Sequence, residues 1–137
     1  MSCIFCDVVN RSIKAKIIDE NELSLAFMDI NPVSDGHILV ISKKHYRCFS
    51  ETPPETLASM ASLCYKVANK ISNSKLKPLG FNYLCNEGEI AGQIIFHVHI
   101  HIIPKYKKDE GFKPSAIKRH NLNSSLDEIY QMIMDSK

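Results

Sequence analysis

From Phe96 to Ile103 the chain alternates apolar side chains with His97, His99 and His101. Alternation with period two is the pattern of a β-strand with one face in a core. The three imidazoles then share a face, while Phe96, Val98, Ile100 and Ile102 point the other way, into the core. At strand rise, successive histidines stand about 6–7 Å apart. That is near enough to act on one small ligand and too far to hydrogen-bond along the strand. A polar face that happens to use histidine is the bland alternative, and it accounts poorly for three alternating imidazoles among six in the chain. Three ligands on one straight strand do not readily converge on a single tetrahedral ion, so the better metal reading has one of them joining ligands from elsewhere.

The rest of the chain supplies partners for such a strand. Residues 5–10 fit a short helical turn. Residues 16–19 and 22–28 read as two strands meeting in a hairpin at Glu20 and Asn21. Residues 31–36 are dense in turn formers and read as a loop, and residues 37–41 as a short buried strand. Thr52 suits a helix N-cap, Pro53 the first helical position and Glu55 a capping box. Leu57, Met60, Ala61, Leu63, Cys64, Val67, Ala68 and Ile71 then give one apolar face through about residue 72. Another strand is expected at 80–85, followed by a polar loop at 86–92. The most β-prone stretch runs over 94–103 and ends at Pro104. Ser125 and Glu128 repeat the capping logic ahead of Leu126, Ile129, Ile133 and Met134. Strands outnumber helices and do not alternate with them. The expected fold is therefore α+β: a mainly antiparallel sheet of about five strands, one long central helix and a C-terminal helix. The chain reads as a single domain over 1–137, with the last helix, at about 124–136, as an extension.

Composition narrows the function classes. At 137 residues, 45% hydrophobic and 23% charged, the chain can bury a core without disulfide staples. A net charge of +2 is too small to argue for a nucleic-acid or membrane surface, and no apolar run approaches the ~20 residues of a membrane span, so neither partner is expected. The first residues lack the pattern of a signal peptide, and the five cysteines are odd in number. A reducing, cytoplasmic setting is expected. Cys3 and Cys6 have metal-knuckle spacing but make half a site, with chance spacing as the alternative; a redox motif would need a preceding strand. Cys48, Cys64 and Cys85 sit in apolar patterns and read as small buried hydrophobes, and His37 and His120 receive no role.

The histidine strand resembles the signature of the histidine triad family, in which three histidines alternate with apolar residues, and every position matches. Further segments resemble the family in the expected order: Cys3 to Cys6, Ala26 to Pro32, Gly36 to Ile41, Lys43 to His45, and Asn86 to Gln93. Together they cover about residues 3–106. The resemblance implies a hydrolase that binds a purine nucleotide and cleaves nucleoside 5′-phosphoramidates or dinucleoside polyphosphates at the α-phosphorus. His99 would be the nucleophile, forming a nucleotidyl-histidine intermediate, and His101 would contact phosphoryl oxygens or the leaving group. Gln93 would offer an amide, Gly92 would allow close backbone approach, the Ile94 backbone amide could donate, and Asn86 would reach in from the opposite loop wall. Asp29 would bind the ribose, and Phe5, Phe27 and Ile30 would wall the base pocket. Several relatives complete a zinc site with two histidines, here His45 and His97. That implies a closed, structural zinc on Cys3, Cys6, His45 and His97, with no organic cofactor. Two-fold homodimers through the helix and an edge strand are common in the family.

Ile94 departs from the many relatives that carry Ser or Thr at this position. The chain has no tryptophan, and its tail does not resemble that of the nucleoside phosphoramidase branch. That branch's substrate preference therefore does not transfer. Two rival readings remain open. One is a nucleotidyltransferase using the same histidine, and the other is a zinc-stabilised nucleotide- or partner-binding module without turnover.

Overall fold

The computed structural model describes residues 2–119 and 123–137; His120 lies outside them. Five strands form one antiparallel sheet: β1 (Ile17–Glu20), β2 (Ser24–Met28), β3 (Ile38–Ser42), β4 (Gly80–Leu84) and β5 (His99–Lys105), in the order β1-β2-β3-β5-β4. The helices are α1 (Ile4–Val9), α2 (Pro54–Ser72) and α3 (Leu126–Met134). The architecture is the α+β fold expected from the strand and helix pattern.

The two faces of the sheet bury different things. Ala26, Ile38, Val40, Val98 and Ile102 meet Met60, Leu63, Cys64, Val67 and Ile71 of α2 in the main core. Leu25, Phe27, Leu39 and Ile41 point to the other face and meet Phe5 and Val8 of α1. The β3–β5 register sets Ile41 opposite His99 and Leu39 opposite His101. Residues directly opposite each other in an antiparallel pair share a face, so both imidazoles stand on the α1 side. Ile100 and Ile102 pair with Val40 and Ile38 and face α2.

Three local expectations shift. The strand expected over 94–103 begins only at His99, because β3 offers no sheet partner beyond Ile41. Ahead of it the Val98 N–H donates to the Tyr46 carbonyl, and Phe96, expected in the core, lies at the surface under the Arg47 guanidinium. At the other end β5 continues through Pro104 to Lys105. Pro104 pairs with Phe81 of β4 and lies past the last β3 partner, where a missing N–H removes no bond on the open side. The third shift is at α2, which starts one residue later than expected. Pro54 takes the first helical position after an extended Pro53, and no side chain caps it. The Thr52 hydroxyl instead donates to the Cys48 carbonyl, closing the 3-10 turn at Phe49–Glu51. At α3, Ser125 and Glu128 form the expected capping box, yet none of the helix's residues is buried.

Leu63 is fully enclosed between α2 and the sheet. Leu63→Ala is expected to lower unfolding free energy by about 2–5 kcal/mol, read from urea denaturation followed by circular dichroism.

Candidate active site and metal centre

His99 sits at the start of β5 with its ring edge-on to Phe5 of α1, centroids 5.1 Å apart. Its Nδ1 lies 2.8 Å from the backbone oxygen of His97. A carbonyl only accepts, so Nδ1 carries the ring proton and Nε2 keeps its lone pair. Burial lowers the His99 pKa, against the opposing effects of this hydrogen bond and of Asp29. The side chain is thus a neutral imidazole with one nitrogen anchored and the other free to attack. The His101 ring lies 5.0 Å away, on the same face. Burial first, then His99 and His37, push His101 down to about 4, with Asp29 opposing.

His97 does a different job. Its Nε2 donates to the Ser42 carbonyl at 2.7 Å, which turns the Nδ1 lone pair toward the N-terminal cysteines. Nδ1 lies 3.3 Å from Cys3 Sγ and 3.6 Å from Cys6 Sγ, while His45 Nδ1 is 3.5 Å from Cys6 Sγ. Ligand bonds of ordinary Zn–S and Zn–N length at tetrahedral angles place sulfur and nitrogen about 3.6 Å apart. The three sulfur–nitrogen separations are therefore close to the edges of a zinc tetrahedron, and all four ligand atoms lie within 4.8 Å of one another. Cys3 also caps α1, its Sγ accepting from the Cys6 N–H at 3.4 Å. In the absence of a cation, burial and the neighbouring Cys3 push the Cys6 thiol up to about 11, a cost that a bound cation removes.

The loop between β4 and β5 holds Asn86, Gly92, Gln93 and Ile94, and the other expected residues come from α1, from β2 and from its end. Gln93 is 2% exposed and its amide is fully engaged with backbone. Nε2 donates to the carbonyls of Arg47 and Ile95, and Oε1 accepts from the Gly88 N–H. In this arrangement Gln93 shapes the loop. Gly92 adopts φ +104°, and a Cβ there would come within 3.2 Å of Asn86 Nδ2. Asn86 in turn reaches across to the Gly92 carbonyl at 3.5 Å. Asp29, just after β2, accepts from the Asn31 N–H through Oδ1. Phe5 and Phe27 are buried against each other, 5.6 Å between centroids, whereas Ile30 and Ile94 are 86% and 87% exposed. The aromatic pair therefore belongs to the floor of the α1 face, and the two isoleucines stand out in solvent.

A further histidine, to which the sequence assigns no role, joins this face. His37, at the foot of β3, places Nε2 3.0 Å from His101 Nδ1 and 3.5 Å from Asp29 Oδ2. The available signal was parity: positions 37, 39 and 41 share a strand face, and Leu39 pairs with His101. Reading it requires the β3–β5 register.

The HIT domain family model matches residues 10–108. An uncharacterised HIT-like protein of Mycoplasma genitalium is 48% identical over 136 residues, covering 99% of this chain and 94% of its own. The adenosine 5′-monophosphoramidase of Schizosaccharomyces pombe is 44% identical, covering 81% of this chain and 80% of its own. An adenylylsulfatase of Arabidopsis thaliana is 42% identical over 88% of this chain and 60% of its own. Among solved structures, a HIT family protein from Bacillus anthracis superposes with a TM-score of 0.86 at 37% identity, over 97% of this chain and 93% of that one. A zinc-bound histidine triad family protein from Mycobacterium smegmatis gives a TM-score of 0.77 at 38% identity, over 87% and 86%. A matching signature, a matching fold and relatives of this similarity lead to one conclusion: the chain belongs to the histidine triad family.

Proposed function

We propose that this protein hydrolyses nucleoside 5′-phosphoramidates or related phosphoanhydrides at the α-phosphorus, with His99 as nucleophile. The observation that carries the reading is the pinned tautomer of His99: Nδ1–H on the His97 carbonyl, Nε2 free. Attack by Nε2 forms the P–N bond to His99 and breaks the bond to the leaving group. That group departs with the electron pair, an amine taking its proton from solvent. Water then attacks the same phosphorus, loses a proton, and returns the electron pair to Nε2. Nδ1–H stays on the carbonyl throughout and supports the positive charge that the ring carries in the intermediate. His101 donates a hydrogen bond to a phosphoryl oxygen, where preorganised donors count most. Asp29 accepts from the ribose hydroxyls, and Asn86, Gly92, Gln93 and the Ile94 backbone frame the phosphate. Phe5 and Phe27 back the base side, with Ile30 at its mouth. The S. pombe relative, named as an adenosine 5′-monophosphoramidase, supports an AMP-like substrate.

The same reading assigns a structural zinc to Cys3, Cys6, His45 and His97. Four protein ligands leave no open position, so the ion's work is to hold α1 against the sheet. Because Phe5 of α1 packs on both His97 and His99, the metal would steady the nucleophile indirectly. The zinc-bound M. smegmatis relative supports this assignment. No helix among the described residues is long and apolar enough to cross a membrane, and the free thiols suit a reducing cytoplasm. A two-fold dimer through the open edge of β4 and the adjoining face of α2 is part of the proposal. Tyr65 and the stacked Phe81 and Tyr83 lie exposed or half-buried there.

Two experiments test these assignments. Brief incubation with tryptamine adenosine phosphoramidate, followed by intact-protein mass measurement, should show a transient adenylyl adduct. His99→Ala should abolish the adduct and lower kcat by about three orders of magnitude or more. No adduct and no AMP release from phosphoramidates or dinucleoside polyphosphates would leave a binding module, and discharge of the adduct to an added sugar phosphate would indicate a transferase. For the metal, elemental analysis should find one zinc per chain, lost in Cys3→Ser; unchanged stoichiometry would defeat the four-ligand site.

A further inference from the structure

β3 pairs with β5 only as far as Ile102. Past that point the loop leading into β3, residues 29–37, meets the extension of the histidine strand. The neck of this loop is closed by its own backbone. The Asp29 N–H donates to the His37 carbonyl at 3.0 Å, and the His37 N–H donates to the Ser34 carbonyl at 3.1 Å. The tip is held from outside. The Ser34 hydroxyl donates to the Pro104 carbonyl at 2.7 Å, and the Tyr106 hydroxyl donates to the Asp35 carbonyl at 2.7 Å. Lys105 then turns the chain back, its Nζ donating to the carbonyls of Glu110 and Phe112. That turn lays Gly111, at φ +73°, against the loop: a Cβ there would stand 3.5 Å from Ser34 Cβ and 3.7 Å from the Val33 oxygen. Residues 104–112 thus form a strap across the tip at 33–35.

The strapped loop begins at Asp29, whose Oδ1 accepts from the Asn31 N–H. The direction of that carboxylate therefore follows the course of the loop. We propose that Tyr106 and Ser34 are positioning residues that hold the Asp29 loop in its ribose-binding course, so that ribose recognition is referenced to the strand that presents His99 and His101. The inference rests on the assignment of Asp29 to the ribose in the proposed function, and is independent of His99 acting as a nucleophile.

A tie needed only for folding is the competing explanation. The neck bonds and Gly36, packed so closely on Pro104 that a Cβ would come within 3.3 Å, already close the loop without Tyr106. The Tyr106–Asp35 bond lies at the surface and adds nothing to either core. What it supplies is a single course for the tip. A loop that visits several courses binds its ligand more weakly, in proportion to the time spent in the competent one.

The test is calorimetric binding of AMP and of 2′,3′-dideoxy-AMP to the full-length protein. The wild type should bind AMP more tightly than the dideoxy analogue. Tyr106→Phe, which removes one oxygen atom, should raise the Kd for AMP about two- to tenfold, the worth of one net hydrogen bond, and leave that for the analogue unchanged. Ser34→Ala should do the same, and the double variant more than either; if Tyr106→Phe fails to fold, Ser34→Ala carries the comparison. On a phosphoramidate substrate the loss should fall on KM, with kcat held, because β5 itself is untouched. Equal losses for the two nucleotides in a folded variant would mean a general loosening of the pocket and would overturn the proposal. No loss for either nucleotide overturns it too, as does a wild type that binds neither or both equally. Ribose-dependent losses in a protein that releases no AMP from phosphoramidates would defeat the hydrolase reading and leave the strap standing. Normal turnover with unchanged AMP binding in the variants defeats the strap alone.

Discussion

The pairing of β5 with β3 is the constraint on which the rest of this molecule depends. Setting Ile41 opposite His99 and Leu39 opposite His101 turns both imidazoles toward α1 and sends Ile100 and Ile102 into the core under α2. A slip of one residue would exchange the two sets. It would bury histidines beneath α2 and expose isoleucines on the α1 face, losing core and site together. The apolar residues between the histidines therefore do the positioning: their burial against Val67, Leu63 and Met60 fixes where the imidazoles stand.

Given that register, each histidine is specialised by the backbone group it meets. The Ser42 carbonyl takes the Nε2–H of His97 and leaves Nδ1 for the thiols. The His97 carbonyl takes the Nδ1–H of His99 and leaves the Nε2 lone pair bare. The Val33 amide occupies Nδ1 of His37, which passes its own N–H on to His101. Similar rings thus present different nitrogens to their surroundings, because an imidazole's second nitrogen is decided by what holds the first; the proposed roles of metal ligand and nucleophile build on that difference. The backbone does not titrate near neutral pH, so this division of labour is set by the fold.

Much of this was legible before any coordinates. Alternation at 96–103 was enough to place His99 and His101 on one face, and the spacing of Cys3 and Cys6 pointed to half a metal site. The helix of 54–72 announced itself through its apolar period. What stayed hidden depended on register and on hydrogen-bond competition. His97 lies outside the ladder because β3 has no sheet partner for it past Ile41, and sequence periodicity carries no information about where a neighbouring strand stops. Gln93 turned out to hold three backbone groups, a commitment that a motif match does not show. Thr52 was displaced from its cap because two consecutive prolines moved the helix start by one residue. His37 escaped because its partner is 64 positions away and only the strand pairing brings them together.

The central claim is that His99 Nε2 carries the nucleotide through a covalent intermediate. Its most direct test is the stereochemistry at phosphorus. A P-chiral adenosine phosphorothioamidate, hydrolysed in 18O-labelled water and analysed by 31P NMR, reports whether one or two in-line displacements have occurred. Attack by His99 followed by attack of water on the adduct predicts net retention. Net inversion would mean that water strikes the substrate directly, and would contradict the account.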